Sequence, residues 1–380
     1  MRLISTFGSV VPLLVAAFVA AALLALVLTP FVRRVAIRLD NIDRPDARRV
    51  NDAPIPRGGG VAVAVAFLLV AITGIAINAQ TGAVPVPVAL KPSHLVALLA
   101  GGAIATLLGV LDDTFQLRAR WQLLGQLVLA ALAVAAGILV TDLNNPFGPG
   151  DIELSTPFAI GFSMLWIVGM INSINFIDGL DGLSSGIALI AAATLGLISL
   201  TTAVGPVGQP FIGILCFALA GSLLGFLRWN FHPASIFIGT SGVMFVGYTL
   251  AVLSILGTAK VAVALLVLGV PILDTFWIIV RRLSSGHSPF TPDRGHIHHR
   301  LLDLGLSHSQ TVLVIYAICL SLAVLSLVTS GTGQVYAFLG LAFLFGLGLF
   351  LLARGETGDA LEAESYEEEE PSAEADPPKE

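Results

Sequence analysis

Residues 10–32 read VVPLLVAAFVAAALLALVLTPFV, and Arg33 and Arg34 follow at once. The stretch holds no Asp, Glu, Lys or Arg, and it exceeds the roughly 20 apolar residues that a helix needs to cross a bilayer core. Ten further segments meet or approach that length, at 58–78, 93–111, 121–140, 158–176, 183–203, 211–229, 236–256, 260–280, 311–330 and 333–353. None alternates as a membrane β-strand does, and unpaired backbone groups are costly in lipid, so each segment is expected to be helical. The composition agrees: 56% of the 380 residues are hydrophobic, 12% are charged and the mean hydropathy is +0.91, which excludes a soluble globular enzyme. The expected fold is all-α, a polytopic membrane protein of about 11 transmembrane helices.

A transmembrane domain over residues 1–354 is expected to precede an acidic tail, 355–380. Eleven of the 25 acidic residues fall in that tail, where Lys379 is the only base, so the overall charge of −6 belongs to the tail and the body is net positive. Net charge therefore carries no information about an acidic or basic substrate. Dense in Glu and Pro, the tail reads as disordered. Cys216 and Cys319 lie within apolar runs and read as small buried hydrophobes rather than as a disulfide or metal site.

Orientation follows from Lys and Arg, which collect in short cytoplasmic loops. Of the 19 basic residues, 16 fall on one side and three, Arg2, Lys91 and Lys260, on the other. With eleven spans the N-terminus is then outside and the C-terminus inside. The first segment is expected to be an uncleaved anchor, because cleavage after it would export the loop from Arg33 to Arg57 against the rest of the count.

The chemistry-bearing motifs all fall in the inward loops. Pro54-Ile55-Pro56-Arg57-Gly58-Gly59-Gly60 leads into the second segment, where arginines suit either a positive-inside anchor or the positioning of phosphate oxygens. The third segment ends in Asp112-Asp113, which is either a polar helix terminus or a pair of hard oxygen ligands for Mg²⁺. In Asn172-Ser173-Ile174-Asn175-Phe176-Ile177-Asp178-Gly179-Leu180-Asp181-Gly182, four oxygen-bearing side chains recur every three residues. They are expected to line one stripe for metal or phosphate chemistry. Gly239-Thr240-Ser241-Gly242 reads equally as close helix packing or as a pocket wall. His296-Ile297-His298-His299-Arg300 has no Cys nearby and arginines on both sides, so anion binding suits it better than zinc. His94, His232, His287 and His308 stand apart and read as structural.

Together, and in this order, the Pro56-Arg57-Gly58-Gly59 loop, Asp112-Asp113, Asn175 to Gly182 and His296 to Arg300 resemble the motifs of the polyprenyl-phosphate N-acetylhexosamine-1-phosphate transferases, kin of the phospho-N-acetylmuramoyl-pentapeptide transferase. The resemblance runs over nearly the whole chain, to about Arg354. It implies transfer of a sugar 1-phosphate from a UDP-sugar, UDP-N-acetylglucosamine by the form of the histidine motif, to undecaprenyl or decaprenyl phosphate. UMP is released, and synthesis of a cell-envelope glycan begins. It also implies Mg²⁺ or Mn²⁺ held by Asn175 and Asp178 with position 240, and Asp112, Asp113 and Asp178 as the catalytic carboxylates. Asp181 is then on the nucleotide side, His296, His298, His299 and Arg300 bind the diphosphate or the sugar, and Arg57 and Asn172 complete the substrate contacts. The implied setting is the inner (plasma) membrane with the active face cytoplasmic, no nucleic acid partner, and room for a homo-oligomer.

Three polar positions depart from the family pattern: Thr240 stands where Asp is common, Gln122 where Lys is common and Asn51 where His is common. Any metal is then held with one carboxylate fewer. A non-catalytic relative that binds UDP-sugar or lipid phosphate is the alternative this keeps open. A secondary transporter would place charge near the bilayer midplane, and here Asp274 is the main residue of that kind.

Overall fold

The computed structural model describes residues 2–44, 54–145, 147–148, 150–201, 209–257, 260–284, 296–329, 332–344 and 346–347. Asn51, His287, Arg294 and the acidic tail with its boundary at residue 354 lie outside the described residues. Helices follow the apolar segments: α1 (Arg2–Arg38), α2 (Gly60–Thr81), α3 (Pro92–Phe115), α4 (Ala119–Ala135), α5 (Thr156–Ile177), α6 (Leu183–Ser199), α7 (Pro210–Asn230) and α8 (Gly239–Leu256) each match one expected span. The ninth does not. It divides into α9 (Lys260–Val267) and α10 (Gly269–Ser284), because Pro271 has no N–H to offer the carbonyl one turn back and its ring crowds that carbonyl. A short α11 (Ile297–Asp303) then precedes α12 (His308–Val328) and α13 (Thr332–Leu344).

Seven of these helices are long and apolar enough to cross a membrane, and α4, α6 and α13 are shorter apolar helices. The body, Met1–Phe338, is one compact unit; beyond it the described residues continue α13. Two small antiparallel pairs interrupt the all-α reading. β1 (Ile42–Asp43) pairs with β2 (Ile55–Pro56), and β3 (Asp142–Asn144) pairs with β4 (Asp151–Glu153). The first pair closes the base of the Arg-rich loop and delivers Arg57 to α2.

Small residues set the helix spacing. A Cβ on Gly221 would fall 2.1 Å from the Phe18 carbonyl oxygen, and one on Gly225 2.0 Å from that of Ala22, so the Gly221-x-x-x-Gly225 face of α7 lies directly on α1. Trp229 locks the lower end of the same contact by donating its indole N–H to the Leu26 carbonyl at 3.0 Å. At the start of α2, a Cβ on Gly60 would lie 1.9 Å from Cα of Gly242 on α8. Gly60 is needed because backbone meets backbone here, Gly59 because a Cβ would strike the Phe226 ring at 2.4 Å, and Gly58 because its φ is +95°. Gly59 and Gly60 donate to the carbonyls of Phe237 and Ile238 at 2.9 and 2.8 Å, and Phe237 donates to Pro56 at 2.9 Å.

Gly225→Val would insert three carbons where no space exists, forcing α1 and α7 apart. Overpacking of this kind costs about 1–3 kcal/mol. Thermal unfolding of the purified protein in detergent should show a midpoint several degrees lower, whereas Gly74→Val, at a position whose Cβ meets nothing within 4 Å, should leave it in place.

Candidate active site

The described segments that follow α1, α3, α5 and α7, and those that precede α2, α4, α6, α8 and α12, meet at one end of the bundle. A cavity of about 600 Å³ opens there. Its wall takes Arg33 from α1, Asp43 from β1, the 54–57 segment, the 178–181 turn, the loop from Asn230 to Gly239, and His299 and His308.

The polar stripe breaks where the chain turns. Steps of three residues drift by about 60° each on an α-helix, so Asn172 and Asp181 could not share a face even in an unbroken helix. The helix in fact stops at Ile177, and Gly182, at φ +79°, opens α6 in the left-handed region. Asp178 and Asp181 therefore occupy a turn that faces the cavity. Asn172 points elsewhere: its amide donates to Gln126 Oε1 on α4 at 2.6 Å and to the Val168 carbonyl at 2.8 Å. Asn175 stays in the last turn of α5, where its carbonyl accepts from the Asp178 N–H at 3.3 Å.

Asp178 Oδ1 accepts the Ser184 hydroxyl at 2.5 Å, and Oδ2 has no protein partner among the described residues. Burial pushes its carboxyl up to about 6. The Ser184 hydrogen bond and Arg57 oppose that rise, while Asp113 and Asp181 add to it. Arg57 thus acts on both Asp178 and Asp113, and it is itself 3.2 Å from Asp43 Oδ1. Such a cluster of hard oxygens around Asp178 suits a divalent cation.

The Asp112-Asp113 pair does two separate jobs. Asp113 accepts the N–H groups of Thr240 at 2.7 Å and Ser241 at 3.0 Å, so it caps the start of α8 from another helix. A Cβ on Gly239 would come 2.7 Å from Asp113 Oδ2, which is why Gly precedes Thr240. Asp112 Oδ1 accepts from Gln122 Nε2 at 2.7 Å and from the Leu117 N–H at 3.0 Å, tying α3 to α4. Thr240 enters this network through its backbone.

The histidine run divides in the same way. Asp274, buried on α10, accepts from His296 Nδ1 at 2.7 Å and from the Ile297 N–H at 2.9 Å, so this buried acid caps α11 and orients His296. His298 packs under Gly179, whose Cβ would lie 2.2 Å from His298 Nε2, and its buried Nδ1 has no partner among the described residues. Burial, then His299, His296 and His308, hold its pKa well below the usual imidazole value, so it is neutral. His299 reaches the cavity wall. Nε and Nη1 of Arg300 are buried and have no partner among the described residues, which leaves donors able to meet an anion.

His232 and His308 correct the expectation that they are isolated structural residues. His232 Nδ1 is 2.8 Å from Asp181 Oδ2, the Asp181 N–H donates to His308 Nε2 at 2.8 Å, and the two rings stack with centroids 4.2 Å apart. Sequence separations of 51 and 127 residues hide this contact from any spacing argument. Ser184 and Arg33 were equally invisible: one follows the acidic motif as an ordinary small residue, and the other belongs to a general positive-inside cluster.

The glycosyl transferase family 4 model matches residues 95–258. A probable undecaprenyl-phosphate N-acetylglucosaminyl 1-phosphate transferase of Bacillus subtilis (strain 168) is 36% identical over 311 residues, which cover 80% of this chain and 82% of that relative. A decaprenyl-phosphate N-acetylglucosaminephosphotransferase of Mycobacterium leprae is 35% identical over 317 residues, 78% of each chain. An undecaprenyl-phosphate alpha-N-acetylglucosaminyl 1-phosphate transferase of Yersinia pestis is 28% identical over 307 residues, covering 78% of this chain and 79% of that one.

The raised Asp178 value carries a stability consequence. A carboxyl whose folded pKa lies above its ordinary 3.8 is most favourable to folding when protonated, and that benefit is lost as pH rises through about 6. At pH 7.5, with divalent cations chelated, Asp178→Asn should raise the thermal midpoint in detergent, and with Mg²⁺ restored it should strongly reduce turnover. A lower midpoint would mean that the ionised carboxylate supports the fold instead.

Proposed function

Because the chain belongs to glycosyl transferase family 4, we propose that it transfers N-acetylglucosamine 1-phosphate from a UDP-sugar to a polyprenyl phosphate. What carries the reading is a cavity at one end of an apolar bundle in which Asp178 and Asp181 face Arg57, His299 and Arg33. A phosphate on a lipid and a diphosphate from solution can both reach such a site. An oxygen of the lipid phosphate attacks the β-phosphorus of the donor, a new P–O bond forms, and the bond to the bridging oxygen breaks and leaves UMP. Both reactants are anions, so positioning and charge neutralisation carry most of the catalysis.

The roles follow from where the side chains are held. Arg57, fixed by Asp43, and Arg33, whose Nε donates to the Ser235 carbonyl at 3.0 Å, offer guanidinium N–H groups to phosphate oxygens. His299 and Arg300 receive the diphosphate or sugar, with His296 and His298 as their buried support. Asp112 and Asp113 set the acceptor side through the starts of α4 and α8. Asp178, Asn175 and Thr240 would hold Mg²⁺ or Mn²⁺, which supplies charge neutralisation at the transferring phosphoryl group. Eleven spans with the cavity end cytoplasmic accord with 16 of 19 basic residues on that side. The setting would be the plasma membrane, where the product opens synthesis of an envelope glycan.

One observation favours a second reading, a binding relative without turnover. At position 240 the family commonly has Asp, whereas here Thr240 gives only a hydroxyl and a backbone N–H. UMP release from UDP-N-acetylglucosamine and polyprenyl phosphate by purified protein with Mg²⁺ decides between the two. Thr240→Asp would set a second carboxylate beside Asp113. Its thermal midpoint should fall below wild type in chelator, and Mg²⁺ should raise it more than it raises wild type. Release only from the Asp variant would establish the binding reading.

Topology has its own check. Arg118→Cys, at an exposed position before α4, should react with an impermeant thiol reagent only after cells are opened. Val88→Cys, fully exposed between α2 and α3, should react in intact cells. The native Cys216 and Cys319 are buried and do not interfere.

A further inference from the structure

Asp181 is gripped from two separate parts of the chain. Its Oδ2 accepts from His232 Nδ1 at 2.8 Å and from the Ala234 N–H at 3.0 Å, both in the loop between α7 and α8. Its own N–H donates to His308 Nε2 at 2.8 Å, at the first residue of α12. One residue on, the Tyr316 hydroxyl of the same helix donates to the Gly182 carbonyl. α12 therefore holds the peptide groups on both sides of the Asp181-Gly182 bond.

The hydrogen bonds dictate the proton positions. A backbone N–H only donates, so His308 Nε2 carries a lone pair and the ring proton sits on Nδ1. A carboxylate only accepts, so His232 carries its proton on Nδ1. The ligand-type atoms of Asp181, His232 and His308 lie within 4.8 Å of one another, a spacing that a cation site would also show. Here, however, the His308 lone pair is taken by a backbone N–H and Oδ2 by two donors. The cluster completes itself without a cation. What it leaves over is Asp181 Oδ1, with no partner among the described residues, on a residue that lines the cavity.

A carboxylate oxygen repels phosphate and accepts only from N–H or O–H groups, and on a nucleotide sugar those belong to the base, ribose or sugar. We propose that His232 and His308 are positioning residues that fix Asp181 as an acceptor for the N–H or O–H groups at the nucleoside end of the donor. The inference rests on the transferase reading above and adds α12 to the donor site.

Two substitutions separate hydrogen bonding from packing. His308→Phe keeps a flat ring against His232 but has no acceptor, whereas His308→Gln keeps an acceptor oxygen but loses the stack. Binding of UMP to the detergent-purified full chain should weaken about three- to tenfold in His308→Phe, the size of one lost hydrogen bond, and recover most of that in His308→Gln. The KM for UDP-N-acetylglucosamine should rise by the same factor in His308→Phe. The KM for polyprenyl phosphate and kcat should move less than about twofold. Equal UMP binding by His308→Phe and wild type would overturn the inference, as would an equal loss in the Phe and Gln variants. One zinc per wild-type chain that disappears with His308→Phe would also overturn it, in favour of a metal site. Failure of wild type to bind either UMP or UDP-N-acetylglucosamine would instead remove the transferase reading on which the inference stands.

Discussion

Two N–H groups at the start of α8, those of Thr240 and Ser241, end on the carboxylate of Asp113. The first turn of any helix leaves such donors unpaired, and at a membrane face too little water is available to satisfy them all. Asp113 solves that problem from the end of α3, and in doing so it ties together three elements. Gly58 and Gly239 crowd its carboxylate, Gly60 lets α2 touch Gly242, and the 56–60 segment lies along Phe237 and Ile238. Arg57 reaches the cavity because this seam is closed. The acidic turn, the Arg-bearing loop and the α7–α8 loop then meet on one side of it.

Most of the architecture could be read from hydropathy alone, because lipid admits few alternatives to an apolar helix. Where reading failed, local chemistry won. The ninth segment is apolar throughout but broken at Leu268 ahead of Pro271, and the short β1–β2 pair rests on only two residues per strand, below any periodicity signal. The site was legible as motifs but not as geometry. Spacing pointed to Asp178 and Asp181, which line the cavity, and equally to Asn172, whose amide meets Gln126 across the α4–α5 contact. Nothing in the sequence joins His232 or His308 to Asp181, since those contacts exist only after α7 and α12 have packed around the turn.

The histidine motif shows the same division between type and role. Three histidines in four residues look interchangeable, but Asp274 claims His296, Gly179 makes room for His298, and His299 is left to face the cavity. Asp274 is the residue that a transporter would have used at mid-membrane. Here both of its oxygens are engaged by His296 and the Ile297 N–H, so its burial is explained by the start of α11. A buried carboxylate with two donors and a neighbouring imidazole is a structural arrangement that tolerates lipid surroundings.

The two described departures from the family pattern touch neighbouring carboxylates. Gln122, where Lys is common, meets Asp112, and Thr240, where Asp is common, meets Asp113. Replacing a cation by an amide removes one positive charge, and replacing an acid by a hydroxyl removes one negative charge, so the sum over the site is unchanged. Locally the effect differs. Asp112 is left with neutral hydrogen bonds in place of an ion pair, and Asp113 is relieved of a like charge next to it. Both changes weaken the field across the α3–α8 seam while preserving its hydrogen bonds, which is how a site can lose two charges and keep its fold. Of the four motif carboxylates, Asp178 and Asp181 are the two that line the cavity, together with Arg57. Any cation or phosphate that enters therefore meets a site whose polarity is set by the α5–α6 turn more than by the Asp112-Asp113 pair.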